Sequence, residues 1–210
     1  MTASARRAHD EDEPGDVRSR ILGAAVAEAG RTGLGRLRVD EVARRAGVAR
    51  ATVYRHFPGG RDQLAAEAVT WEVARYFTNL VRLLDGVDDL PDRLEQGLLR
   101  GRTLLAEHRV FQKVVDTEPE RLLPHLSQSA PLVQAAMRDH LRPYLERARL
   151  QPGVDPEEAA EWLARNILSF LVATGGWDLD NPREVRRLVR DNLLAGIVEP
   201  GRPGGNGAAM

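Results

Sequence analysis

The sequence predicts an all-α protein: an N-terminal three-helix head followed by a C-terminal helical bundle, about nine helices in total. Three observations carry this. The stretch Val39 to Phe57, VDEVARRAGVARATVYRHF, has the apolar spacing of two short helices around a glycine. Beyond it, apolar residues recur at helical intervals with no run that alternates as a strand would. Helix-start signals then punctuate the rest, as in DPEE at 155–158 and NPRE at 181–184.

In the first helix of the pair, Val39, Val42, Ala43 and Ala46 fall at i, i+3, i+4 and i+7, leaving Glu41, Arg44 and Arg45 outside. Gly47 follows, where a left-handed residue ends a helix without steric cost, and Val48 is placed to pack back under the turn. The second helix starts at once. Val53 and Phe57 share its inner side, while Arg50, Ala51, Thr52, Tyr54 and Arg55 spread over the outer arc. That outer face has the chemistry to read DNA. Arginine forks onto guanine O6 and N7, Ala51 and the Thr52 methyl suit a thymine methyl, and Tyr54 and His56 are placed to donate to phosphate.

A fourth helix runs from Asp62 to about Leu84, with Leu64, Ala68, Trp71, Phe77, Leu80, Val81 and Leu84 as its apolar positions and Asp85-Gly86 at its end. A fifth covers about Pro91 to Glu107. A shorter one around Arg109 to Val115 precedes TEPERLLPHLSQSAP, in which Pro119, Pro124 and Pro131 are expected to prevent a continuous helix. A seventh runs to Leu150. Asp155 then caps an eighth, with Pro156 at its first position and Glu158 at its third, and NPRE opens a ninth from Pro182 to about Ile197. GRPGGNGAAM closes the chain as a tail.

Charge is distributed unevenly. The whole chain is only −1, yet residues 17–62 set ten arginines against Glu28, Asp40, Glu41 and Asp62, a net of +6. A positive head on a weakly acidic body is the footprint of a nucleic-acid partner. Lys113 alone is lysine among 30 basic residues, an arginine bias that says nothing of mechanism. No cysteine is present, which removes disulfides, thiolate catalysis and cysteine-ligated zinc. The N-terminal residues lack a signal-peptide core, and WLARNILSFLVATGGW is too short to span a membrane and carries Arg165 and Asn166. The expectation is a soluble, cytoplasmic protein with no membrane partner.

From Ile21 to Leu64 the chain resembles the TetR family of bacterial transcriptional regulators. The resembling segments are ILGAA and RTGL, opening and closing a first helix, VDEVARRAGVARATVYRHF for helices two and three, and GGRDQL opening the fourth. The resemblance implies a head over 17–62, a ligand-binding and dimerisation domain over 63–198, a disordered arm over 1–16 and a flexible tail over 199–210. Three departures stand out. The loop PGG lengthens the step from Phe57 to Leu64 by one residue and puts Arg61 where lysine is usual. Ala49 replaces a serine cap, which typically costs about 1 kcal/mol. Arg38 stands where Ser or Thr is usual, and a cation there either meets a phosphate or is offset by Asp40 and Glu41. The DNA-contacting set implied is Arg38, Arg45, Arg50, Ala51, Thr52, Tyr54, Arg55, His56 and Arg61, on a palindromic operator in double-stranded DNA.

The last two helices resemble the family's C-terminal pair, which packs against its twin. The dimer residues implied are Trp162, Asn166, Ser169, Phe170, Ala173, Val185, Leu188, Val189 and Asn192; the alternative is an eighth helix buried within one monomer. A homodimer suits palindromic reading, since one short helix reads few bases. The resemblance also implies a small apolar effector, an acyl-CoA among the candidates, with Trp71, Phe77, Phe111, His125, Met137 and Trp162 as candidate lining and release of DNA as its effect. Alternatives are a helical protein-interaction module, or a DNA-binding regulator without a ligand. An enzyme is disfavoured: the five histidines show no metal-ligand spacing, no nucleophile motif occurs, and Gly59-Gly60 lacks the Lys-Ser/Thr of a phosphate loop. No metal or cofactor is expected.

Overall fold

A computed structural model describes residues 14–172 and 176–199, and among these the architecture is helical, with one isolated bridge between Leu150 and Val198. The helices are α1 Pro14–Thr32, α2 Val39–Ala46, α3 Arg50–His56, α4 Gly60–Leu83, α5 Leu90–Glu107, α6 Arg109–Thr117, α7 Pro119–Arg147, α8 Pro156–Val172 and α9 Pro182–Leu188, the last continued by a π-helical turn, Val189–Leu193. Most of the arm expected at 1–16, nearly all of the tail, and Ala173 lie outside the described residues. No described helix is long and apolar enough to cross a membrane.

Packing sorts the chain into two compact units, one holding residues up to 72 together with 109–126, the other holding 73–108 and the chain from 127 on. In the first unit, Ile21, Leu22 and Ala25 of α1, Val42 and Ala43 of α2, Val53 of α3, Phe57 after it and Leu64 of α4 are all buried, with α1 packed on α2 and α2 on α3. Segment 109–126 joins them through close fits. Gly30 leaves room for Val110, whose Cγ2 would lie 2.6 Å from an added Cβ. Lys113 Nζ donates to the carbonyls of Gly30 and Arg31 at 2.8 and 3.0 Å, satisfying orphan acceptors at the end of α1, and Glu118 accepts from the Gly35 amide at 2.8 Å.

In the second unit, Leu90, Leu94 and Leu98 of α5 form a stripe that packs with Leu141 and Leu145 of α7, Leu163, Ile167 and Leu171 of α8, and Val185 and Leu188 of α9. Tyr76 of α4 donates to the Gly101 carbonyl at 2.7 Å, and burial pushes its hydroxyl pKa up to about 12. Arg93 is buried yet well used. It donates to the Leu84 and Val87 carbonyls at 2.9 and 2.6 Å, lies 4.1 Å over the Tyr144 ring and reaches His140 Nε2 at 3.0 Å.

Two sequence expectations are corrected. The segment expected to break at prolines is one helix, α7, 29 residues long. Pro119 occupies its first position, where no amide bond is lost, and the interior prolines each remove one backbone bond while buried Leu122, Val133, Leu141 and Leu145 hold the helix by packing. The ninth helix ends its α form at Leu188 rather than Ile197. There the Leu194 amide reaches back five residues to Val189 at 2.8 Å, and the wider turn lets Leu188, Val189, Leu193 and Leu194 all be buried. Gly196, at φ 78°, ends the run.

Candidate nucleic-acid interface

Reading-helix geometry begins with the turn before it. Gly47 adopts φ 66°, its amide reaches the Arg44 carbonyl at 3.3 Å, and the Val48 amide reaches Ala43 at 3.0 Å, a Schellman closure that stops α2 and redirects the chain. Ala49 caps α3 with its backbone alone, accepting from Thr52 and Val53 at 2.9 and 3.3 Å with no side-chain bond. Val53 and Phe57 are then buried, Thr52 and His56 half-buried, and Arg50, Ala51, Tyr54 and Arg55 exposed. The exposed face follows the spacing except at Thr52, which is half-buried rather than exposed.

The arginines differ in what they meet. Arg50 pairs with Asp40 at 2.9 Å, donates to the Tyr54 hydroxyl at 3.3 Å and lies 5.4 Å from that ring's centre. The Tyr54 bond first, and the Asp40 charge next, raise its pKa. Arg61 pairs with Asp62 at 2.8 Å, and Arg44 with Glu41, whose carboxyl that bond holds below its ordinary range. Arg45 lies 3.6 Å from Glu28, a fully buried carboxylate that also takes Arg31 at 2.8 Å. Arg31 is the nearer partner of Glu28, and the Arg45 side chain stays 42% exposed. Arg38 is exposed at an extended residue before α2 and makes no side-chain cap bond. Arg55 and Arg38 have no ion pair among the described residues, although the Arg38 charge helps to lower the Glu41 pKa.

Spacing alone did not reveal Glu28 or Arg18. Glu28 continues the apolar stripe Ile21, Ala24, Ala25, which was the available signal that it would be buried. Arg18 lies 5.2 Å over the Phe57 ring and pairs with Glu67, while Gln63 accepts from the Gly59 amide at 2.7 Å. Together these hold the longer PGG loop against α1 and α4.

The other candidates are scattered. Trp71, Phe111 and His125 belong to the first unit and Phe77, Met137 and Trp162 to the second. All but Trp162 are half-buried, and Trp162 is exposed. A groove of about 320 Å³ in the second unit is lined by Leu83, Leu99, Arg100, Thr103, Leu104, Glu107, Leu179 and Asp180, and by none of those six. Of the dimer candidates, Val185, Leu188 and Val189 are in the monomer's own core and have no area to offer a partner, because α9 faces α5. Trp162, Ser169 and Asn192 are exposed, Phe170 and Asn166 half-buried, and the Asn166 amide donates to the Trp162 carbonyl at 2.8 Å.

The family model for bacterial regulatory proteins of the tetR family matches residues 21–68, which run from α1 into α4. An HTH-type transcriptional regulator of Mycobacterium tuberculosis, itself uncharacterised, is 29% identical over 175 residues, or 78% of this chain and 87% of that protein. Among solved structures, the Stenotrophomonas maltophilia repressor of the efflux pump SmeDEF is 25% identical with a TM-score of 0.54, covering 89% of this chain and 94% of its own; it has also been solved with triclosan. The Rhodococcus erythropolis repressor QsdR shares the fold at 19% identity and a TM-score of 0.60, over 90% of this chain and 99% of that one.

Proposed function

We propose that the chain is a transcriptional regulator of the TetR family, whose model matches its residues 21–68, and that it acts not as an enzyme but as a homodimeric repressor that holds a palindromic operator until a small apolar effector releases it. The observation that carries the DNA half is α3 itself: its apolar side is buried while Arg50, Ala51, Tyr54 and Arg55 face outward on a head of net charge +6. Two such heads on a two-fold axis would read half-sites about 34 Å apart or a multiple of that. Arg38 and Arg55 position the head on phosphates, and Arg61 does so in competition with Asp62. A cytoplasmic location goes with this role.

For the effector, support comes from the triclosan bound by the Stenotrophomonas repressor and from the groove beside α5, whose Leu83, Leu99, Leu104 and Leu179 offer apolar walls and whose Arg100 offers a cation. An acyl chain suits the apolar walls, and the anionic end of an acyl-CoA would have to pair with Arg100 beside the carboxylates of Glu107 and Asp180. Trp71, Phe77, Phe111, His125, Met137 and Trp162 stay candidates on the family resemblance alone, since none of them borders this groove.

The test is a titration with duplex DNA across salt concentrations, followed by acyl-CoAs of increasing chain length added to the complex. The reading expects a steep fall of affinity with salt and a preferred palindromic sequence. An effector that weakens DNA binding must itself be weakened by DNA to the same factor, and a useful switch has about 1–3 kcal/mol of such coupling. Salt-insensitive or absent DNA binding would leave a helical interaction module; DNA binding untouched by any lipophile would leave a regulator without a small-molecule ligand.

A further inference from the structure

We infer that Asp40 is a specificity-determining residue that positions Arg50 for base readout, an inference that rests on the DNA-reading role of α3 proposed above. Asp40 sits in the first turn of α2 and Arg50 opens α3, so the 2.9 Å contact spans the helix-turn-helix rather than one helix. Both side chains are more than half exposed, at 61% and 58%, and a pair that open to water adds little stability. An anion at this place also repels phosphate, so it lowers affinity for DNA of any sequence. What it supplies is direction.

The Arg50 guanidinium is restrained from three sides: Asp40 at Nη1, the Tyr54 hydroxyl at Nη2, and the Tyr54 ring at 5.4 Å. Asp40 holds the guanidinium as an ion pair and Tyr54 takes one hydrogen bond from it, so of its five N–H donors enough remain for a base edge. A side chain already held in one rotamer loses less freedom on meeting guanine, which favours the matched site over all others. On mismatched DNA the restraint gains nothing and the Asp40 repulsion remains. Discrimination rises by both routes.

Glu41 provides an internal control. It lies in the same first turn and complements the same helix dipole, but its partner is Arg44 on its own helix, and neither touches Arg50 in the structure. A role limited to stabilising α2 would fall on both acids alike.

The experiment selects duplexes from a random pool with the full-length protein. Kd is then measured on the preferred site, on its single-base variants and on random duplex at one salt concentration. The proteins compared are wild type, Asp40→Asn, Glu41→Gln, Arg50→Ala and the Asp40→Asn/Arg50→Ala double variant. Asp40→Asn should lose roughly five- to tenfold discrimination at the base pair that Arg50 reads. It should bind random duplex at least as tightly as wild type, which also shows that the head is folded. Glu41→Gln should keep full discrimination, and the double variant should match Arg50→Ala. Undiminished discrimination in Asp40→Asn, an equal loss in Glu41→Gln, additive losses in the double variant, or an Arg50→Ala protein that keeps every base preference would each overturn the inference while leaving DNA binding intact. A wild-type protein that selects no site would remove the DNA-reading proposal and this inference together.

Discussion

Arg50 and Arg61 carry the same charge but stand in different company, so under the DNA-reading proposal their removal should separate base reading from phosphate attraction. Arg50 points from the start of the reading helix, and Arg61 lies beyond the loop beside Asp62. Arg50→Ala should cost about 1–3 kcal/mol on the preferred site and relax one base position per half-site, whereas Arg61→Ala should weaken all duplexes alike and flatten the salt slope by about 1. Equal losses on specific and random DNA for both variants would reverse the roles. His140 makes a different kind of prediction. Burial first, and the Arg93 charge next, depress its pKa, with Asp85 opposing in part. The unfolded chain takes up that proton near pH 6.5 while the folded chain resists it, so the unfolded state binds more protons and stability falls as pH drops below about 6.5. The fall ends below the depressed folded value. His140→Gln keeps an acceptor for Arg93 but does not titrate, so its melting temperature should gain on wild type as pH is lowered from about 7.5 to 5; a gap that stays constant would show that this ring is not the proton-linked group. The α3 face was legible in the sequence because helical period alone sorts Val53 and Phe57 from Arg50 and Tyr54. The partners of Arg45 and His140 were not, since both contacts join residues distant in the chain.

Among the elements, those fixed by local signals were the readable ones. Gly47 closes α2, the Asp155 carboxylate accepts from the Glu157 and Glu158 amides at 2.9 and 3.0 Å, and Asn181 accepts from Arg183 at 3.0 Å, all from neighbours in sequence. Elements that depend on tertiary packing were not readable. The prolines of α7 argued for a break, since each interior one loses a backbone bond, but burial of Leu122, Val133, Leu141 and Leu145 along the helix offsets that cost. The π turn after α9 likewise exists to bury two adjacent pairs of apolar residues. The fit of α1 to α6 gives a test at this scale. A methyl on Gly30 would come within 2.6 Å of Val110 Cγ2 and 3.3 Å of Cγ1, and a β-branched side chain has little freedom to turn away. Gly30→Ala should therefore destabilise the protein by about 1–3 kcal/mol in denaturant melts, against a helix-propensity gain of at most about 1 kcal/mol. Val110→Ala added to it should recover most of the loss. No recovery would mean that the strain lies elsewhere along α1.

For the molecule as a whole, chain order suggested a head and a body divided near residue 62, whereas packing groups 109–126 with the head. Contacts such as Lys113 to Gly30 leave no trace in local periodicity. Assembly poses the same problem of reading, because an apolar helix looks alike whether its second face meets its own core or a twin. The structure divides the α8 and α9 candidates by burial: Val185, Leu188 and Val189 are interior, while Trp162 and Ser169 leave part of α8 open. If the protein assembles through α8, substituting on the two sides should have opposite outcomes. Val185→Glu places a carboxylate in a fully buried site and should unfold the second unit, seen as lost helical signal and an early melt. Trp162→Glu places the same charge on an exposed face. It should keep the helical signal, shift sedimentation from dimer to monomer, and leave binding to a single half-site unchanged. Binding to the full palindrome should weaken by about 10²–10⁴-fold as the second head's effective concentration is lost. A Trp162→Glu protein that remains dimeric with full affinity for the palindrome would move the two-fold axis away from this face of α8.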